Sequence, residues 1–335
     1  MVTLWDTTGR EVVRKLAAER RTAGGVASGL ALSLIVVTDE GRISEVEEAV
    51  TVAAAEHPLR LLVTVRDPQG GRPDARSRLD AEVIVGGRLG PCEAVVLRMG
   101  GRLALHAESV VVPLLAPDVP VVTWWHGPPP ERIAYDPLGV VAERRVTDVA
   151  QCPDPIAEIH RRAADYAPGD TDLSWTRITP WRTLLAGAFD TVSTPVAEVE
   201  LAASTDDPGA VLLGGWLCDR LGVQPATVPV DGGGLTQVSV RLVDGAELSL
   251  TRQDNTVLMR RTGHVDRVLP LTHRRLGDEL AEELRRLDAD QTYAAALSAA
   301  TGVTGLRDRP ADRVHIWHDP ALAERPEEAI REAAV

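Results

Sequence analysis

Apolar residues run almost without a break over Leu30–Thr38, Leu59–Val65 and Val119–Trp125. Runs of this length with so little alternation predict strands buried on both faces, as in a parallel sheet covered by helices above and below. Between the first two runs, Val46, Ala49, Val50, Ala53 and Ala54 recur at the spacing of one helix stripe, and His57-Pro58 ends that helix. Strand, helix and strand within about 35 residues make a βαβ unit, for which parallel strands are expected. An earlier helix begins with the capping-box pattern Thr8-Gly-Arg-Glu11 and runs to Arg21, before Gly24-Gly25; Ser44-Glu-Val-Glu47 repeats that pattern ahead of the second helix.

Further along, two short strands, Ala81–Val85 and Ala94–Arg98, flank a Gly/Pro turn and are expected to be antiparallel. An amphipathic segment over Ala104–Leu115 leads into the third apolar run. That run ends in Trp124-Trp125-His126-Gly127 followed by Pro128, Pro129 and Pro130, which donate no backbone hydrogen bond, so sheet pairing must stop near Gly127. Asp136-Pro-Leu-Gly139 reads as a loop, a charged segment follows to Val149, and Asp154–Ala167 reads as a helix.

Pro168-Gly169-Asp170 marks the expected domain boundary. Beyond it the pattern predicts a helix from an N-cap at Thr179 to Phe189, a strand over Val196–Ala203 and a helix over Ala210–Leu221. A meander over Gln237–Val243, Glu247–Gln253 and Thr256–Arg261 turns at Asp244-Gly245 and Asp254-Asn255, and helices follow over Leu276–Leu287 and Gln291–Ala300. The fold class expected is therefore α/β plus α+β. Residues 1–168 form a Rossmann-like, βαβ-containing domain without a dinucleotide fingerprint; residues 169–310 form a domain with a mostly antiparallel sheet and helices; residues 311–335 form a charged, mobile tail.

Composition narrows the function more by exclusion than by assignment. The 335 residues are 44% hydrophobic and 25% charged, with a net charge of −13, which disfavours nucleic acid or an anionic membrane as the main partner. The opening Met-Val-Thr-Leu-Trp-Asp does not read as a signal peptide, and no apolar run approaches the roughly 18–20 residues of a membrane span. Cys92, Cys152 and Cys218 are isolated, which suits a reducing cytoplasm.

Searches for chemistry return little. The turn after the first long strand, Asp39-Glu-Gly-Arg-Ile-Ser44, places acidic residues where a pyrophosphate would have to lie, and no phosphate-binding Gly/Lys loop occurs. No nucleophile elbow is present, Cys152 has no cationic neighbour in sequence, and His315 and His318 fall in an extended-looking stretch that would turn them apart. No catalytic residue, cofactor site or metal site is expected. What does stand out is a set of indoles and guanidinium groups: Trp124, Trp125, Arg144, Arg145, Trp175, Arg177, Trp181 and Arg182, with His126, Asp148 and Asp172 among them. Trp and Arg dominate binding hot spots. Three readings stay open for the set: an internal domain seam, a protein-docking surface, or an anionic small-molecule site.

At these residues the chain resembles the glucose-6-phosphate dehydrogenase assembly protein family, known as OpcA. The resemblance is carried by the stretch from Ser109 to Gly127, by Asp136-Pro-Leu-Gly139, Arg144–Asp148 and Asp172–Arg182, and by His57–Arg60, Gly215–Leu221 and the charged helix near Asp278–Asp288. It implies a non-catalytic accessory protein whose partner is glucose-6-phosphate dehydrogenase, the enzyme that opens the oxidative pentose phosphate pathway. On that footing Trp124, Trp125, His126, Arg144, Arg145, Asp148, Asp172, Trp175, Arg177, Trp181 and Arg182 are the expected docking residues. The rival expectation is an enzyme or sensor that binds a sugar phosphate or nucleotide on the α/β domain, with arginines clamping the anion.

Overall fold

The computed structural model describes residues 1–22, 29–66, 76–86, 93–133 and 135–311. The Gly24-Gly25 break, the loop at 67–75, Cys92 with the turn before it, and the tail with His315 and His318 lie outside the described residues.

Strands β1 (Val2–Leu4), β2 (Leu32–Thr38), β3 (Leu59–Arg66), β4 (Arg78–Val85), β5 (Glu93–Gly100), β6 (Val121–Trp125), β7 (Arg144–Thr147) and β8 (Asp170–Asp172) form one sheet, in the order β1-β4-β5-β3-β2-β6-β7-β8. From β5 to β8 every pairing is parallel; β4 and β1 extend the edge by antiparallel pairing. The parallel βαβ unit and the antiparallel β4–β5 pair expected from the apolar pattern are both present.

The helices are α1 (Gly9–Thr22), α2 (Ile43–Glu56), α3 (Arg102–Leu105), α4 (Ala107–Val111), α5 (Pro137–Val140), α6 (Pro155–Asp165), α7 (Leu173–Arg177), α8 (Thr179–Phe189), α9 (Pro208–Leu221), α10 (Leu276–Glu283) and α11 (Gln291–Thr301). One face of the sheet packs against α1, α3 and α4 through Val12, Leu16, Ala104 and Val111. The other packs against the predicted α2 stripe, all five residues of which are buried, and against Leu280, Ala281 and Leu284 in and just after α10. Continuous apolar strands thus have cover on both faces, as burial of both Trp124 and Trp125 requires.

A second sheet holds β9 (Val196–Ala203), β10 (Ala226–Pro229), β11 (Gln237–Leu242), β12 (Glu247–Gln253), β13 (Thr256–Arg261) and β14 (Arg267–Pro270), in the order β10-β9-β11-β12-β13-β14. The meander is antiparallel, but β10 joins β9 in parallel, so the sheet is mixed. Alternation sends Val199, Leu201, Val238, Val240, Leu248 and Leu250 inward against α9 and α11. Gly215 lets those two helices touch: a Cβ there would lie 2.1 Å from the Ala296 carbonyl oxygen.

Helices are traded across the expected boundary at residue 168. α6 precedes it, yet Ile159 and Ala163 pack in the second core; α10 follows it, yet covers the first sheet. Gly277 permits the α10–α2 contact, since a Cβ there would stand 2.7 Å from Val52 Cβ.

Several local expectations are corrected. The Thr8–Glu11 box forms, but Ser44 does not cap α2, because a 3-10 turn at Glu40–Arg42 starts the helix earlier and leaves Ser44 inside it. Asp136-Pro-Leu-Gly139 is a short helix capped by the Asp136 carboxylate, not a loop. The charged segment at 144–147 is buried strand β7, because Arg144 and Arg145 find acidic partners inside the protein. β8, β10 and β14 carried no periodicity long enough to predict.

Candidate functional site

β2 and β6 end side by side, and His126 continues the ladder by donating its backbone N–H to the Val37 carbonyl at 2.9 Å. Beyond these carboxyl ends, where open α/β sheets usually present ligand sites, lies a cleft of about 310 Å3 between the two sheets. Glu45, His126, Gln151, Arg177 and Glu279 line one side; Arg252 and the 271–274 connector line the other.

The first wall is a continuous polar chain. His126 Nε2 lies 3.0 Å from the Glu45 carboxylate, and Gln151 accepts from Arg42 at 2.8 Å while donating to Asp148 at 2.9 Å. Arg177 grips both oxygens of Asp148 at 2.6 and 2.7 Å, then donates from Nε to Glu279 at 3.0 Å. This chain joins α2, the ends of β6 and β7, α7 and α10. Behind it Asp172 caps α7 through Ser174 N at 2.8 Å and accepts from Thr147 Oγ1 at 2.6 Å and Val149 N at 3.0 Å.

Burial sets the ionisation of this wall. Desolvation lifts the Glu279 carboxyl to about 7 even though Arg177 favours its charge, whereas Arg177 is itself held well above its ordinary value. The two ends of the pair differ because Arg177 spends its fork on Asp148 and offers Glu279 only what remains. Asp172 is likewise raised, first by burial and then by the neighbouring Asp148 charge.

The opposite wall differs in kind. Arg252 projects from the end of β12, with its guanidinium carbon 5.7 Å from the Trp181 ring centroid. Its buried Nε has no hydrogen-bond partner among the described residues.

The expected docking residues are brought together, but inside the protein, which corrects their reading as an exposed face. Trp124 is 0% exposed, and His126, Asp148, Asp172, Trp125, Trp175, Trp181, Arg144 and Arg145 are buried. Trp124 packs between the sheet and α2, its ring 4.8 Å from His126, while Trp125 points the other way toward Gly139. Trp175 donates its indole N–H to Asp290 at 2.9 Å and carries Arg182 stacked 3.5 Å above its ring. Arg144 pairs with Glu283 and Arg145 with Asp170. Arg177, at 31% side-chain exposure, reaches the cleft. Of the three readings left open, burial favours the internal one: Arg144, Arg145 and Arg177 each meet a carboxylate, Trp124 packs in the first core, and Trp175 and Trp181 pack in the second.

Chemically the cleft can bind and orient; a nucleophile is not evident in it. Cys152 lies near the Asp148 wall, and burial with acidic neighbours pushes its thiol up to about 11, against thiolate chemistry. Among the described residues no group of three or more His, Cys, Asp or Glu side chains could hold a metal ion, and no helix is long and apolar enough to cross a membrane. Sequence reading missed Arg252, Gln151, Glu45 and Glu279. Only Arg252 gave a signal: it shares the inward face of β12 with Leu248 and Leu250, where a charge at a core-facing position asks for a reason.

Among relatives, a protein of Synechococcus elongatus provisionally named OxPP cycle protein OpcA is 30% identical over 215 residues, covering 58% of this chain and 46% of that one. Its counterpart in Synechocystis sp. is 24% identical over 192 residues, covering 54% of this chain and 40% of that one. The chain thus spans less than half the length of these curated relatives. Among solved structures, an oxidoreductase from Sinorhizobium meliloti aligns over 85% of this chain and 91% of its own at 12% identity, with a TM-score of 0.39. A protein titled as an oxidoreductase from Klebsiella pneumoniae aligns over 91% and 100% at 11% identity, with a TM-score of 0.37. Scores this low carry over neither a fold nor an activity. The family models are more direct. Residues 50–164 match the glucose-6-phosphate dehydrogenase subunit N-terminal domain, and residues 168–297 match the corresponding C-terminal domain. Matched in order over these two stretches, the chain belongs to the OpcA family of glucose-6-phosphate dehydrogenase assembly proteins.

Proposed function

We propose that this chain is a non-catalytic accessory protein that binds glucose-6-phosphate dehydrogenase and promotes its assembly or activation. The observation that carries the reading is the match to both dehydrogenase-subunit domain models in sequence order. A non-catalytic role is supported by the cleft, where the carboxyl nearest neutrality, Glu279, has both oxygens engaged by Arg177 at 2.9 and 3.0 Å and so has little freedom to move a proton.

With the four tryptophans of the set and two of its four arginines buried, contact with the enzyme falls to other surfaces. The best supported is a groove of about 470 Å3 between α8 and the β13–β14 hairpin, floored by Leu184, Ala188, Met259 and Leu269. Its rim carries Arg261, His264 and Arg267 in a chain of net charge −13, and Val265 on its lining is 86% exposed. β14 also ends the sheet, so its outer backbone edge is available for strand addition. Exposed apolar residues beside an open edge suit a protein partner.

An activator shifts its target's equilibrium only by its difference in affinity for the two states. The test is therefore size-exclusion chromatography of the dehydrogenase, together with its kcat and KM, with and without this protein. Co-elution with a changed kcat or oligomeric size is expected. Separate elution with unchanged kinetics would overturn the proposal.

A further inference from the structure

Arg252 is anomalous among the arginines around the cleft. Arg177 is held by Asp148 and Glu279, Arg42 donates to Gln151, and Arg274 pairs with Glu282. Arg252 has none of this: among the described residues no carboxylate lies within 4.0 Å and no side-chain hydrogen bond is made, yet it lies partly buried beside Trp181. Its Nε is shielded from water while the rest of the half-buried fork stays open to the cleft, so an anion there would supply the missing counter-charge. Burial accordingly lowers its proton affinity, with only the more distant Asp207 opposing. The flat fork is also the side chain best suited to a carboxylate or phosphate oxygen pair.

Across the cleft the lining changes from cationic to hydrogen-bonding. Glu45, Gln151 and Glu279 offer carboxylate and amide oxygens, and His126 a ring nitrogen whose partner, Glu45, is itself largely solvated. Thr272 and His273 are exposed at the mouth. With Arg177 cationic and Glu279 lifted to about 7, that wall carries little net charge, and its oxygens suit hydroxyl groups. A volume of about 310 Å3 sits at the lower end of the range for small-molecule pockets, too small for a dinucleotide.

We propose that the cleft between the two sheets is a binding site for a small polyol carrying one anionic group, a sugar or sugar-acid derivative, whose phosphate or carboxylate is held by Arg252 and whose hydroxyl groups face Glu45, Gln151 and Glu279. The site spans β12 of one sheet and the β6 end of the other, so an occupant touches both cores. This inference does not depend on the dehydrogenase partnership, because the binding is a property of the purified chain alone.

Isothermal titration of the full chain tests it, with sorbitol 6-phosphate, gluconate, inorganic phosphate and uncharged sorbitol as probes. Saturable binding is expected for sorbitol 6-phosphate, gluconate or both, weaker binding for phosphate, and none for sorbitol up to roughly 10 mM. Which anionic head binds better decides between the phosphate and carboxylate sources. Arg252→Gln should weaken that binding on the order of 10- to 100-fold, with Arg252→Lys intermediate and the melting temperature of the unliganded protein nearly unchanged. No saturable heat from either anionic polyol with the wild-type chain would overturn the proposal. So would equal affinity of the wild-type and Arg252→Gln proteins, or binding of sorbitol as tight as that of its phosphate.

Discussion

Arg144 and Glu283 stand 139 residues apart in the chain and meet as a buried ion pair between β7 and α10, with Nε to Oε1 at 3.0 Å. Thr176 donates to the second carboxylate oxygen at 2.5 Å, and Arg144 also donates to the Asp288 carbonyl at 2.8 Å. α10 belongs in sequence with the second sheet but covers the first, so this pair fastens the exchanged helix. Removing one partner should cost far more than removing both. Arg144→Met leaves the Glu283 carboxylate buried without its counter-ion and should lose about 3–5 kcal/mol, whereas Arg144→Met with Glu283→Leu should recover most of that. Urea midpoints at constant m-value measure both; a double variant no better than the single would place the energy in packing and not in the charge.

The buried tryptophans make a controlled comparison. Trp124 is wholly buried and its indole N–H has no partner among the described residues; Trp175 is equally buried but donates to Asp290 at 2.9 Å beneath the Arg182 guanidinium. Trp→Phe removes the same volume at each site, so the difference isolates the polar contacts. Trp175→Phe should be the more damaging by about 1–3 kcal/mol, and Trp124→Ala should cost about 3–5 kcal/mol through the cavity alone. Thermal melts of the three variants decide the matter, with equal losses for both Phe variants counting against the stated hydrogen bonds.

Much of the fold was legible because burial on two faces writes itself into the sequence. The runs at Leu30–Thr38 and Leu59–Val65 were marked by unbroken apolar character, and the α2 stripe and the alternating β11–β13 meander by period. β7 was not, since Arg144 and Arg145 read as surface until Glu283 and Asp170 arrive from distant segments to neutralise them. The same limit governed the site. The Trp/Arg cluster was visible and its members do assemble, but sequence alone could not separate a partner's surface from an internal seam, because both select indole and guanidinium groups. The cleft depended on Glu45, Gln151 and Glu279 meeting across three segments, and no local spacing encodes that.

Glu279 links the fold to pH with a definite sign. Its folded value, about 7, lies above its ordinary value of 4.5, so the folded state binds more protons between those limits. Stability from this group is full below about 4.5 and is lost as pH rises through 7, by roughly 3 kcal/mol at most. Asp172, raised by burial and by Asp148, acts in the same direction. The melting temperature should therefore fall between pH 5 and pH 8, and Glu279→Gln should flatten that slope. A wild-type profile that rises over the window would refute the assignment.

The α8–β13–β14 groove separates surface function from core stability. Val265 and Val268 are 86% and 63% exposed, so charging them disturbs no packing; substitutions at such positions usually move stability by no more than about 0.5 kcal/mol. If the groove receives the dehydrogenase, Val265→Asp, on the lining of the groove, places a desolvated charge in the apolar contact and should weaken co-elution by 10-fold or more, roughly 1.4 kcal/mol. Val243, 62% exposed at the end of β11 and outside the groove, supplies the control, because Val243→Asp adds the same charge elsewhere on the same sheet. Loss of dehydrogenase binding in Val265→Asp with retention in Val243→Asp, at matching melting temperatures, would place the contact at the groove. Equal retention in both would move it to another face, and equal loss would make it a long-range effect of charge, recognised by recovery at high salt.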